Sequence, residues 1–160
     1  MLRGLLLKDR VLRGALAGII GCLWLFAWNQ ASHSLLHFVK TLWTDALSQL
    51  VMGHQVKSTM NFIVAVVLLF MWNGFLGGIY TRIIIPERDG SYIGRAVLFG
   101  LIAWFFIYTF GTFYKIPTLD KGVWQTAISN WVAVIGWGII LGWLTRRWDD
   151  LEAEEKNAIK

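Results

Sequence analysis

Two histidines lie four residues apart in a polar segment that separates the first two apolar stretches of the chain. They are His33 and His37 in the sequence NQASHSLLHFVK. On a helix, a spacing of four places both side chains on one face, where two imidazoles could bind a metal ion or flank a haem. His54 and Asp45 follow in the same connection and could complete a metal site.

A face in contact with water explains the same histidines without a metal ion. Apolar residues recur at intervals of three and four after His33, and His33 and His37 fall on the opposite side with Lys40 and Thr44. A haem bound inside a bundle needs histidines that project inward from facing helices. We therefore predict a solvated or partner-facing surface here, with no metal ion and no cofactor.

Small and amide side chains within the apolar stretches form the second group of interest. An asparagine in hydrocarbon needs a partner, and a hydrogen bond between membrane helices contributes ~0.6–2 kcal/mol. Glycines four residues apart allow two helix backbones to approach closely. The residues predicted to pack helices together or to line a ligand site are Asn73, Asn130, Gly18, Gly74, Gly78, Gly138 and Gly142.

The composition indicates that lipid is the solvent for the elements that carry these residues. Hydrophobic residues make up 56% of the 160-residue chain and charged residues 16%, against ~45–50% and ~25% in soluble domains. A membrane-spanning helix needs ~20 largely apolar residues. Four windows qualify, at about residues 11–30, 59–81, 96–114 and 122–145. They predict an all-α membrane protein with a single domain over residues 1–160.

The connections between these windows indicate how the helices are arranged. The second contains Pro86 and Asp89-Gly90, which favour a tight turn, and short connections favour an antiparallel bundle. The first is longer, and its periodicity predicts an amphipathic interfacial helix at about residues 34–52, capped by Ser32 or Ser34 and ended by Gly53. Residues 146–160 are predicted to extend the fourth helix into water as a cytoplasmic tail.

The distribution of basic residues predicts the orientation. All eight arginines precede Gly14, lie between the second and third windows, or follow the fourth, whereas the only Lys or Arg residues in the other two connections are lysines. The positive-inside rule then places both termini in the cytoplasm of a bacterial-type inner membrane, which agrees with an even number of spans. Because these charges lie beside the apolar windows, we attribute them to membrane topology and predict no binding of nucleic acid.

The single cysteine, Cys22, rules out a disulfide within the chain. It ends the sequence Ile19-Ile20-Gly21-Cys22, which resembles a lipoprotein cleavage box. An apolar run follows this cysteine, so we interpret the N-terminal segment as a signal anchor that is not removed.

Charged residues are missing from the centres of the predicted spans. Residues 14–30, 59–81, 96–114 and 122–145 contain no Asp, Glu, Lys or Arg, although such residues usually mark ion paths and buried catalytic sites. We therefore predict a non-catalytic accessory or scaffolding subunit that contacts the lipid bilayer and either other membrane subunits or copies of itself. The alternatives are a small oligomeric transporter or channel and a redox subunit that binds haem, quinone or pigment.

Overall fold

The computed structural model describes residues 9–84, 91–116, 119 and 124–158, and every regular element in these ranges is helical. The elements are α1 (Arg10–Ser34), α2 (Trp43–Met52), α3 (Thr59–Ile79) with a π-helical turn at Tyr80–Ile84, α4 (Tyr92–Phe113) and α5 (Trp124–Ala158). Four of them, α1, α3 with its π-helical turn, α4 and α5, are long and apolar enough to cross a membrane. The prediction of an all-helical protein with four such helices is confirmed.

Polar side chains satisfy the first backbone N–H groups of three long helices. The Asp9 carboxylate accepts hydrogen bonds from the backbone N–H groups of Val11 and Leu12 at the start of α1. Ser58 and Ser91 cap α3 and α4 in the same way, through the backbone N–H groups of Asn61 and Gly94. Because the first N–H groups of a helix have no partner within it, these caps set where the helices begin.

Contacts between the long helices run in the order α3, α1, α5, α4, and the π-helical turn that continues α3 also contacts α4, so the four helices form an incomplete ring. The beginning of α1 contacts the end of α3 and the π-helical turn, where Gly14 lies against Gly77 and Thr81. The beginning of α4 contacts the later part of α5, where Ile93 lies against Gly142. These contacts bring most of the arginines to one end, which we call the arginine end; its described arginines are Arg10, Arg13, Arg82, Arg95, Arg146 and Arg147.

Trp137 of α5 occupies the centre of the core and is 2% exposed. Its indole ring packs against Gly21 of α1 and Gly100 of α4. The indole N–H donates a hydrogen bond of 3.1 Å to the backbone carbonyl of Gly18. The large ring of Trp137 fits between α1 and α4 because Gly21 and Gly100, which face it, carry no side chain.

The predicted interfacial helix is shorter than the sequence pattern indicated. Residues 35–42 are not helical, and α2 begins only at Trp43, after Leu42, so neither Ser32 nor Ser34 caps it. Instead α1 continues through Ser34, and Ser32 is buried against α5. The chain then turns at His37, whose φ of 54° lies outside the range of a right-handed helix. Gly53 does end α2, with a φ of 75°.

The other helix boundaries differ less from the predicted spans. The helix α4 begins four residues earlier than expected, which places Arg95 inside it. The fourth span continues without a break past residue 145 to Ala158, as the sequence predicted for this segment. The predicted turn at Pro86 and Asp89-Gly90 lies outside the described residues.

Candidate functional site

Four charged side chains meet at the arginine end, where α1 begins and α5 leaves its apolar segment. The Arg13 guanidinium lies 3.2 Å from Asp149 and 2.8 Å from Glu152, and the Arg10 guanidinium lies 2.8 Å from Asp149. The side chains of Arg13 and Asp149 are only 4% and 5% exposed. We call these four residues the charge clamp; its two cations and two carboxylates compensate each other.

The spacing of the charges along each helix explains why they meet. Arg10 and Arg13 are three residues apart on α1, and Asp149 and Glu152 are three residues apart on α5. Residues at this spacing share one face of a helix. Two such faces of opposite charge therefore meet where α1 and α5 pack.

Neutral polar groups connect the charge clamp to the other helices. The Tyr92 hydroxyl of α4 donates a hydrogen bond of 3.0 Å to Asp149. The Tyr80 hydroxyl of the π-helical turn donates to the backbone carbonyl of Tyr92. Arg13 donates at 3.1 Å to the backbone carbonyl of Trp148, while its Nε has no hydrogen-bond partner among the described residues. The network thus joins all four long helices at one end.

Glu152 stands at the outer edge of the charge clamp, seven residues beyond the last residue of the apolar segment, Thr145. Burial by itself raises its pKa, but hydrogen bonds from Lys156 and Arg13 outweigh that effect, so the pKa of Glu152 lies below its usual value. Glu152 therefore stays ionised at neutral pH and keeps its attraction to Arg13.

Neutral side chains hold the opposite end together. The hydroxyl groups of Ser32 in α1 and Ser129 in α5 lie 2.6 Å apart, and the Trp28 indole donates at 3.0 Å to the Ser129 carbonyl. The Asn29 side-chain oxygen accepts from the backbone N–H of Trp43 at 3.1 Å and so ties α2 to α1. One end of the molecule is therefore joined by charges and the other by neutral hydrogen bonds.

The predicted glycines lie in two helix–helix contacts. At the α1–α3 contact, Gly18 faces the backbone of Asn73, whereas Gly74 and Gly78 face α1 side chains. At the α4–α5 contact, Gly138 and Gly142 face the α4 backbone, and a Cβ atom added at Gly138 would lie 2.7 Å from the Val97 Cα. Neither Gly138 nor Gly142 leaves room for a larger residue while the helices keep their present separation.

The structure does not bring the two predicted asparagines together. Asn73 is buried, and its amide donates to the Leu69 carbonyl of its own helix at 2.8 Å. Asn130 is also buried, and its amide donates to the Tyr108 hydroxyl of α4. Asn130 thus joins two helices, whereas the Asn73 side chain bonds within α3.

The histidines are also separate. His33 Nδ1 lies 2.7 Å from the Val39 carbonyl and His54 Nδ1 lies 2.8 Å from the Gln55 carbonyl, while His37 is exposed in the loop. Within the described ranges, no three His, Cys, Asp or Glu residues form a group that could hold a metal ion. Because residues 35–42 are not helical, His33 and His37 share no helix face, and the interpretation based on one face was wrong.

An apolar cavity of about 620 Å³ lies between α3 and α4, with α2 along one side. Its walls include Leu47 of α2, Trp72 of α3 and Phe106 of α4. A smaller compartment of about 40 Å³ shares part of this lining and reaches Asn73 and Trp137. The cavity forms because α3 and α4 make few contacts with each other beyond the π-helical turn.

No protein-family model, curated protein or solved structure matches this chain. Its function is therefore inferred from the geometry of its own side chains.

Sequence reasoning missed both the charge clamp and the cavity. The arginines were assigned to membrane topology and the acidic tail to water, although Arg10 and Arg13 match Asp149 and Glu152 in spacing and oppose them in charge. That match, between two segments predicted to share one side of the membrane, was the available signal for the clamp. The cavity had no local signal, since it depends on which helices are neighbours.

Proposed function

We propose that this protein is a non-catalytic, multi-pass protein of a bacterial-type inner membrane that serves as an accessory or scaffolding subunit of a larger complex. Its four apolar helices form an antiparallel bundle across the bilayer, with α2 in the outer interface and both termini in the cytoplasm. The contacts at the arginine end support this arrangement, because they gather the arginines on one side, as the positive-inside rule requires.

The charged extension of α5 carries the proposal of an accessory role. Residues 146–158 continue the helix for about 20 Å beyond its apolar part. Arg13 binds the base of this extension through Asp149 and Glu152. Farther along, Glu154 and Glu155 are exposed. A helix held at its base, with exposed carboxylates beyond it, presents a preorganised surface to a partner.

The buried charges themselves support a structural role. A catalytic acid or base needs a proton to gain or lose near the working pH. In the charge clamp, each buried carboxylate instead lies against a guanidinium, and the pKa of Glu152 is lowered further away from neutrality. We infer that these groups hold helices together.

Site-specific photo-crosslinking in native membranes tests the accessory role. A photoreactive residue at position 154 should join the chain to one integral membrane protein in constant ratio, whereas the same residue at position 40 should not. The double variant Glu154→Lys with Glu155→Lys should lose that partner on gentle detergent extraction. The control, Lys40→Glu with Lys57→Glu, changes the net charge by the same amount in the opposite sense at the other end of the molecule and should keep it. A lone monomer with no co-purifying protein would contradict the proposal.

Labelling of single cysteines tests the orientation. The sequence has one cysteine, Cys22, which is buried. The substitution Cys22→Ala therefore provides a background without cysteine. A membrane-impermeant maleimide applied to intact cells should label a cysteine at position 40 but not one at position 154. Labelling at position 154 would show that the orientation is the reverse of the one proposed, and it would leave the described fold unchanged.

A further inference from the structure

The cavity between α3 and α4 consists of two compartments that share residues. Trp43, Leu69 and Trp72 line both the wide compartment of about 620 Å³ and the small one of about 40 Å³. The wide compartment extends towards Val51 and Tyr114, at the end opposite the arginines. The two therefore form one site, with a wide outer part and a narrow deep part.

The deep part contains the polar groups of this site. Asn73, 4% exposed, lies near the middle of α3 with its π-helical turn, and Trp104 lies near the middle of α4. The indole nitrogens of Trp43 and Trp104 are buried and have no hydrogen-bond partner among the described residues. A buried N–H group without a partner raises the free energy of the protein, and an oxygen atom that accepts from it would lower it.

The dimensions of the site indicate the size of its occupant. Small-molecule sites typically enclose ~300–1,000 Å³ and combine apolar walls with a few polar groups. A transmembrane helix about 10 Å wide and 30 Å long occupies more than about 2,000 Å³, so it can cover the mouth of this cavity but cannot fill its deep part. The volume therefore favours one small amphiphile.

The depth of the polar groups indicates its chemistry. A phospholipid keeps its charged head group at the membrane surface, because a charge near mid-span carries a large free-energy penalty. A neutral head group with carbonyl oxygens reaches that depth at much lower cost. Planar rings also pack well between aromatic walls, here Trp43, Trp72 and Phe106 of the wide part.

We propose that this cavity binds a neutral amphiphile of the quinone class, with a planar carbonyl-bearing head and a long apolar tail. The ring of the head lies in the wide part beside its opening to the deep part, and one carbonyl oxygen enters the deep part, where Asn73 and the indole N–H groups of Trp43 and Trp104 turn to donate to it. The tail lies in the wide part and leaves towards Tyr114. This assignment concerns binding alone and does not rest on the accessory role proposed above.

Quenching of tryptophan fluorescence provides the test, with a decyl-substituted benzoquinone as the probe. The purified full-length protein in detergent micelles should show a saturable component above the linear quenching caused by quinone dissolved in the micelle. Ala103→Trp should abolish the saturable component, because Ala103 lines both compartments. Ile102→Trp is the matched control, since Ile102 is 46% exposed and lines neither compartment.

A second variant tests the head-group contact without filling the cavity. Asn73→Leu keeps a similar volume and should weaken the saturable binding about three- to tenfold, the effect of losing one hydrogen bond. Circular dichroism should show that all three variants keep the helical content of the parent protein.

Two results would overturn the assignment. One is saturable quenching by the quinone that Ala103→Trp leaves unchanged. The other is purely linear quenching by the quinone together with saturable quenching by a phospholipid that carries brominated acyl chains, which would show that an ordinary lipid chain occupies the site.

Discussion

Arg13 and Asp149 come from opposite ends of the chain, and their side chains meet 3.2 Å apart with almost no exposure to solvent. A buried ion pair is not in itself a large source of stability, because both charges lose their hydration. Removing one partner is costly, however, since the other charge stays buried without compensation. The charge clamp therefore makes the packing of α1 against α5 depend on both ends of the chain being in place.

The first prediction concerns Asp149. Asp149→Asn keeps the size of the side chain but leaves Arg13 and Arg10 facing a neutral group, so the free energy of unfolding should fall by about 3 kcal/mol. The adjacent Asp150→Asn is the control, because the Asp150 side chain is 59% exposed and its loss should change stability by less than about 0.5 kcal/mol. Unfolding in mixed micelles measures both. Equal effects of the two variants would show that the clamp adds nothing to stability.

The second prediction concerns the close contact between α1 and α3. Gly18→Ile places a branched side chain against the Asn73 backbone and should lower the free energy of unfolding by about 1–3 kcal/mol or more. Ala27→Ile makes a similar addition at an exposed position of the same helix and should be nearly neutral. Thermal unfolding in detergent compares the two. A Gly18→Ile variant as stable as Ala27→Ile would mean that the helices do not pack as described.

The third prediction concerns the hydrogen bond between Asn130 and Tyr108. Tyr108→Phe removes the hydroxyl and leaves the buried Asn130 amide without its partner, which should reduce stability by about 0.6–1.7 kcal/mol. The control is Tyr114→Phe, at a residue that is 69% exposed. Chemical unfolding monitored by circular dichroism can resolve this difference. No loss in Tyr108→Phe would show that another group satisfies the amide.

The fourth prediction concerns His37, whose φ of 54° lies in the left-handed region. A branched residue is disfavoured there, so His37→Val should reduce stability by about 1–2 kcal/mol. His37→Gly fits this conformation and should change stability by less than about 0.5 kcal/mol. A continuous helix through residues 34–52 would give the reverse order, with glycine the more harmful substitution.

Replacing both His33 and His37 with alanine should leave the long helices intact. His33 contributes one hydrogen-bond contact, with the Val39 carbonyl, and its loss should amount to about 1 kcal/mol. Circular dichroism and metal analysis of the purified variant provide the measurement. Loss of a bound ion together with collapse of the fold would restore the metal-site interpretation.

Much of the secondary structure could be predicted from local patterns. Long apolar runs predict membrane-spanning helices because every backbone N–H and C=O group must find a partner when water is absent. The boundaries were less accurate, since α1 reaches four residues past its predicted end at residue 30. Ser32 and Trp28 explain this extension: their hydrogen bonds to Ser129 of α5 keep the helix wound where the local sequence is polar.

The candidate sites were predictable only in part. Asn73 and Asn130 stood out because amide side chains are uncommon in hydrocarbon, and the glycines because small residues four apart allow helices to approach closely. The partner of each amide was not predictable, since Asn130 bonds to α4 whereas Asn73 bonds within its own helix. The histidines were misjudged because helical periodicity was extended through residues 35–42.

Local hydropathy and charge are sufficient to predict four long apolar helices with arginines flanking them in a single pattern. Both properties follow from the order of residues along the chain, because hydropathy and charge act on each segment separately. The packing in three dimensions was needed to show that α3 and α4 make few contacts with each other and leave a cavity between them. It also decided that Arg13 is buried against Asp149 and Glu152, because the choice of neighbouring helices depends on shape and charge brought together from distant parts of the chain.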